Sequence, residues 1–117
     1  MERTCEVRLT RYYGAPPAEV WAALSEPASL ARWLGPMAVA VGTSIRSVQT
    51  EKLLELDWAP PGEQPSVVRF ELRPDGDGTV LVLDHRLIDA RRGMRAMSLW
   101  GHHLGRLDAL LGAGSTV

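Results

Sequence analysis

The chain has 117 residues, 45% hydrophobic and 23% charged, which suits one folded domain spanning 1–117 and leaves no long disordered tract. Thirteen basic against fourteen acidic residues give a formal charge of -1, so no broad cationic field is available for a phosphate backbone, and nucleic acid is not an expected partner. No apolar run reaches the length of a membrane span, MERTCEVRLT lacks a signal-peptide core, and Cys5 has no second cysteine to pair with, so a cytoplasmic protein is expected.

Twelve of the thirteen basic residues are arginine, a compositional association with GC-rich bacterial genomes that decides nothing about function. In chain order, Cys5, Val7 and Leu9 alternate with Glu6, Arg8 and Thr10, the period-two pattern of a half-buried strand. The period then changes. Pro16 and Pro17 suit the start of a helix on which Val20, Trp21 and Leu24 share a face, and Pro27 forces a break. A second short helix is expected over residues 28–33, ending at Gly35-Pro36. Residues 37–41 and 43–51 read as short, weakly patterned strand pieces on either side of Gly42.

The β pattern then strengthens. Leu54, Leu56 and Trp58 alternate with Glu55 and Asp57, and Val68, Phe70 and Leu72 alternate with Arg69 and Glu71. The turn RPDGDG leads into TVLVLDHRL as a partner strand. From about Ala90 to Gly112 the pattern is helical: at about 100° per residue, Met97, Trp100, Leu104, Leu107 and Leu111 form one stripe opposite Arg95, His102, Arg106 and Ala109. An antiparallel sheet with helices gathered on one face is an α+β arrangement.

The stretch PPAEVWAALSEPASLARWLGP resembles the signature of the START-related helix-grip superfamily, often called SRPBCC, in its bacterial branch related to the activator of the heat-shock-protein ATPase. LLELDW, RFELRPDGDGTVLVLDH and LWGHHLGRLDALL follow in that family's order, so the resemblance runs over nearly the whole chain. The departure lies between residues 36 and 52, where family members carry an extra strand pair with a gly-gly-x-phe stretch that is shortened or absent here. A missing strand leaves an open mouth or an edge that a second copy could cover, and a homodimer is one expectation.

The resemblance implies a curved sheet wrapped around the long C-terminal helix with a cavity between them, used by family members for apolar or amphipathic small molecules. Strand phase supplies Trp58, Phe70, Leu72, Leu81, Leu83 and His85 as its sheet side, facing Met97, Trp100, Gly101 and Leu104, with Trp33, Met37 and Met94 nearer the mouth. The same side chains also suit a filled core. Gly101 and Gly105, one turn apart, suggest close backbone approach or room for a ligand beside the helix. Trp21 is expected to pack the first helix on the sheet, and Trp33 to act as a lid. Only one of Tyr12 and Tyr13 can face inward, where its hydroxyl needs a partner.

His102 and His103 are about 100° apart on a helix and cannot aim at one ion, and no HExxH or CxxC spacing exists, so no metal site is expected. No cofactor is called for. His85, in phase with Leu81 and Leu83, is the candidate acid or base, although Asp57 and Asp84 face outward and offer it no partner. Three readings follow: a small-molecule binding domain without evident catalysis, a cyclase- or dehydratase-like enzyme using His85, and, as the resemblance to chaperone activators implies, a protein-interaction module using the edge near residues 37–52.

Overall fold

The computed structural model describes residues 3–33, 43–58 and 65–114. Strand β1 (Thr4–Tyr13) leads into helices α1 (Pro17–Ser25) and α2 (Pro27–Trp33), then β2 (Thr43–Gln49), β3 (Leu53–Trp58), β4 (Ser66–Asp75) and β5 (Gly78–Asp89), a 3-10 turn (Ala90–Arg92), and helix α3 (Gly93–Gly114). Among the described residues all strand pairs are antiparallel, in the order β1-β5-β4-β3-β2, with β1 and β2 as the edges of an open sheet. Met37 and the strand piece expected over residues 37–41 lie outside the described residues.

Proline chemistry punctuates the helices as expected. Pro17 opens α1 where its missing N–H costs nothing, and Glu26 closes it by donating its N–H to the Ala22 carbonyl at 3.0 Å, after which Pro27 starts α2. The β4–β5 turn depends on two glycines. Gly76 sits at φ +60, and a Cβ on Gly78 would collide with the Tyr12 side chain and the Tyr13 carbonyl.

The core lies between the sheet's inner face and the helices. Leu54, Leu56, Val68, Phe70, Leu72, Leu81 and Leu83 meet Trp33, Trp100, Leu104 and Leu107 there. Two polar ties fix the layers: the Tyr13 hydroxyl donates to the Leu104 carbonyl at 3.0 Å, and Thr79 Oγ1 donates to the Ala15 carbonyl at 2.7 Å, both buried. Tyr13 is thus the inward tyrosine and Tyr12 the exposed one. Trp21 packs partly buried against this core.

Several expectations are corrected. Trp33 is no lid: it is fully buried, its Nε1 donates to the Ala23 carbonyl at 2.9 Å, and its ring meets Phe70 edge-on at 6.1 Å. Met94 is 91% exposed and Met97 49%. For Met94 the reason is rotational: at 100° per residue it stands about 120° from Trp100, on the side of α3 that meets the edge strand β1, and Met97, about 60° from Trp100, lies on that same side. Gly93 on that side approaches Cys5 Sγ, and Gly101 approaches the Arg11 guanidinium. Gly101 is accordingly half-buried beside β1 and not beneath the helix, and Gly105 faces open space, so neither glycine is required by close packing.

Two bulges re-phase the sheet. On β5 one extra residue separates His85 from Ile88 relative to Val7 and Cys5 on β1, and Leu87 takes φ +63 there, so that His85 and Ile88, three apart, are both buried. On β2 a bulge at Arg46 leaves Ile45 opposite Leu56 and Val48 opposite Leu54, so both point to the inner face. The outer face carries charges that alternate across the strands, with Arg8–Asp84 at 2.7 Å, Arg86–Glu55 at 3.2 Å and Arg46–Asp57 at 3.2 Å.

Candidate functional site

Trp100 is the centre of the site. Its ring lies 5.5 Å from Trp58, 5.6 Å from His103, 5.8 Å from His85 and 6.0 Å from Phe70 by centroids. Helical phase turns Trp100 into the sheet, and strand phase brings Trp58, Phe70 and His85 from β3, β4 and β5 to meet it. Edge-on and tilted packing of this kind is the favourable geometry for aromatic rings.

The hydrogen bonds of His85 fix its tautomer. An indole N–H can only donate, so the 2.8 Å contact from Trp100 Nε1 makes His85 Nδ1 an acceptor without a proton. Neutral His85 therefore carries its proton on Nε2 and donates a hydrogen bond to Ser66 Oγ at 2.8 Å, and the Ser66 hydroxyl donates in turn to the Trp58 carbonyl at 3.3 Å. Burial pushes the His85 pKa down to about 4. Both ring nitrogens are thus engaged, and the imidazole cannot take a proton from Ser66, because Nε2 already holds one. The polarity runs opposite to that of a serine nucleophile and its base.

His103 differs from its neighbour. Burial lowers its pKa, while a hydrogen bond with the Trp33 backbone opposes that shift. A backbone group that favours the protonated ring is an accepting carbonyl. Among the described residues His103 Nδ1 is buried without a hydrogen-bond partner. A buried polar atom left unpaired costs about 1–3 kcal/mol.

The inner face is covered unevenly. Helix α3 packs most extensively on β1, and Ile45 and Val48, although on the inner face, remain 67% and 53% exposed, with Trp58 beside them half-buried. Ile45, Val48, Trp58 and the His103 side of α3 thus form an apolar wall continuous with the core. A depression of about 200 Å³ on the opposite face is lined by Glu6, Arg8, Arg69, Glu71, Asp84 and Arg86, a charged surface with no apolar floor.

Of the residues assigned to a cavity from sequence, Trp33, Phe70, Leu72, Leu83, His85, Trp100 and Leu104 meet in the packed interior, Trp58 reaches its edge, and Met94 and Met97 stand outside it. Ser66 was missed although it shares the phase of Val68, Phe70 and Leu72. Ile45 and Val48 were missed because strict alternation assigns residues three apart to opposite faces. Among the described residues no cluster of His, Cys, Asp and Glu could hold a metal ion, and no helix is long and apolar enough to cross a membrane.

An open antiparallel sheet gripping a long terminal helix, with an aromatic centre between them, defines a START-related helix-grip domain. The chain belongs to the Activator of Hsp90 ATPase homolog 1-like protein family, whose model matches residues 38–112. No curated protein matches it. Protein MLL2253 from Mesorhizobium loti has 24% identity and a TM-score of 0.81, covering 97% of this chain and 100% of that one. CalU16 from Micromonospora echinospora has 23% identity and a TM-score of 0.79, covering 91% and 73%. DynU16, a protein of the dynemicin biosynthetic locus, has 23% identity and a TM-score of 0.80, covering 93% of this chain and 48% of that one.

Proposed function

We propose that the protein binds a small apolar or amphipathic molecule between the sheet and α3, against the wall formed by Ile45, Val48 and Trp58, with the buried Trp100 behind it. The observation that carries this reading is the exposure of Ile45 and Val48 on the face of the sheet that elsewhere forms the core. Contiguous apolar surface left open on a folded domain marks a place where something binds. The wall is uncharged, and His85 beside it is neutral, so the fit is to an apolar body and not to a charged head group.

The family's fold hosts binding proteins and enzymes alike, so architecture does not choose between them. His85 favours binding, because its two nitrogens are committed to Trp100 and Ser66. Titration with the neutral apolar dye Nile red tests the reading. Binding is expected in the wild type, and Val48→Asp and Ile45→Asp are each expected to weaken it roughly tenfold, the scale of one lost apolar side-chain contact. Both side chains are exposed, so the melting temperature stays nearly unchanged. Absence of dye binding, together with native mass spectra showing no bound small molecule, overturns the proposal.

A further inference from the structure

We infer that the chain forms a two-fold homodimer through β1: the edge strands of two copies pair antiparallel about Val7, which joins the two sheets into one, and Met94 and Met97 of each α3 pack against the other copy. This edge lies opposite β2, so the dimer is independent of ligand binding on the β2 side.

Of the two edges among the described residues, β1 is the one shaped for pairing. β2 carries the bulge at Arg46, which bends a strand and interrupts its ladder. β1 runs ten residues, Thr4–Tyr13, without proline or glycine, and the extra residue at the Leu87 bulge belongs to β5 and not to β1. A long regular edge presents a row of unpaired N–H and C=O groups that a further strand satisfies.

The residues of β1 choose a second copy of β1. A two-fold axis perpendicular to the sheet keeps both inner faces on one side, so side chains of like phase meet across it. Centred on Val7, TCEVRLT complements its own reverse: Thr4 meets Thr10, Cys5 meets Leu9, and Glu6 meets Arg8 of the partner subunit, each pair occurring twice. Centring the axis on Glu6 or on Arg8 instead sets like charges against each other. Both charged side chains are exposed on the outer face. Among the described residues Glu6 has no ion pair, and Arg8 holds Asp84 through Nε and Nη2, which leaves Nη1 for a second carboxylate. Arg3 and Arg11 fall opposite one another at the ends, where both are exposed and salt screens them.

The helix side agrees. Gly93 lies against Cys5, and the Leu104 carbonyl accepts from Tyr13, so α3 runs alongside β1 in the same direction and brings Met94 and Met97 level with Val7. Both methionines are exposed, and a strand laid beside β1 passes beneath them with its apolar phase upward. Methionine adapts readily to such a contact. Roughly ten residues a side is fewer than the 20–30 of a standard interface, so the dimer is expected to be weak, with a dissociation constant on the order of 10 µM.

Sedimentation velocity at concentrations on both sides of that value tests the inference. Glu6→Arg and Arg8→Glu are each expected to weaken association about tenfold, because each sets two like-charge pairs across the axis. An equimolar mixture of the two variants should regain it, since every pair in the mixed dimer is again of opposite sign. Met94→Asp is expected to weaken association to a similar degree and leave the melting temperature nearly unchanged. In the wild type, amide hydrogen exchange should slow with rising concentration at alternate residues of Thr4–Thr10 and not in β2, a readout that does not depend on any variant folding. A wild type that stays monomeric at millimolar concentration, slowing confined to β2, or folded Glu6→Arg and Arg8→Glu variants whose mixture stays monomeric would each overturn the inference and leave the proposed function standing.

Discussion

Acid is expected to destabilise the protein through His85. In the unfolded chain the imidazole titrates near its ordinary value of 6.5, and in the fold it titrates at about 4, because burial disfavours the imidazolium. Protonation at Nδ1 would also set a second N–H against the Trp100 Nε1 that now donates to it. Between these values the unfolded chain binds the proton and the folded one does not, so stability is complete above pH 6.5 and falls as the pH drops toward 4. The difference of 2.5 units at about 1.36 kcal/mol each amounts to up to about 3 kcal/mol, a slope of about 1.4 kcal/mol per pH unit. That is a large share of the roughly 5–15 kcal/mol that holds a small domain together. Urea unfolding of the wild type and of His85→Phe at intervals from pH 7.5 to 4 measures it. The variant will be weaker at neutral pH, since Trp100 Nε1 and Ser66 lose a partner. The informative quantity is the gap between the two, which should narrow as pH falls. His103, also lowered by burial, acts with the same sign in both proteins and cancels from the difference. Parallel profiles over the whole range would refute the reasoning.

Two further outcomes are expected. Tyr13→Phe removes the donor to the Leu104 carbonyl and should cost about 1 kcal/mol in urea unfolding; in the wild type the buried Tyr13 phenol, its pKa raised by desolvation, should stay un-ionised far into alkaline pH, which its ultraviolet absorbance reports. Alanine at two glycines should act with opposite sign: Gly78→Ala drives a methyl into Tyr12 and the Tyr13 carbonyl and should lose about 1–3 kcal/mol, whereas Gly105→Ala, in open space on α3, should gain up to about 1 kcal/mol.

The legible parts of this sequence are those where one periodicity governs. The β4–β5 hairpin, with Val68, Phe70, Leu72, Leu81 and Leu83 buried on alternate positions, follows directly from period two, and the α3 stripe of Trp100, Leu104 and Leu107 from period 3.6. Met97 fits the same stripe by angle but stands beyond the edge of the layer it was meant to face, because a helical wheel says nothing about where along and across the sheet a helix is seated. Bulges defeat pattern reading for a different reason. Arg46 and Leu87 each add one residue to a strand, and everything beyond them changes face. The Ser66–His85–Trp100 chain was legible in part: both the serine and the histidine are in the inward phase, but the register that sets Val68 opposite His85, and so brings Ser66 within reach, is a property of the folded sheet.

The off-centre seat of α3 separates two kinds of selection. Residues that hold the domain together cluster where the helix presses on β1, β5 and β4, while Ile45 and Val48 on β2 contribute little to that packing. A lineage can therefore change what the β2 side accepts, one exposed side chain at a time, without first finding a compensating change in the core. A library randomised at residues 45 and 48 should return folded proteins at nearly every combination, each offering a different surface to whatever it meets.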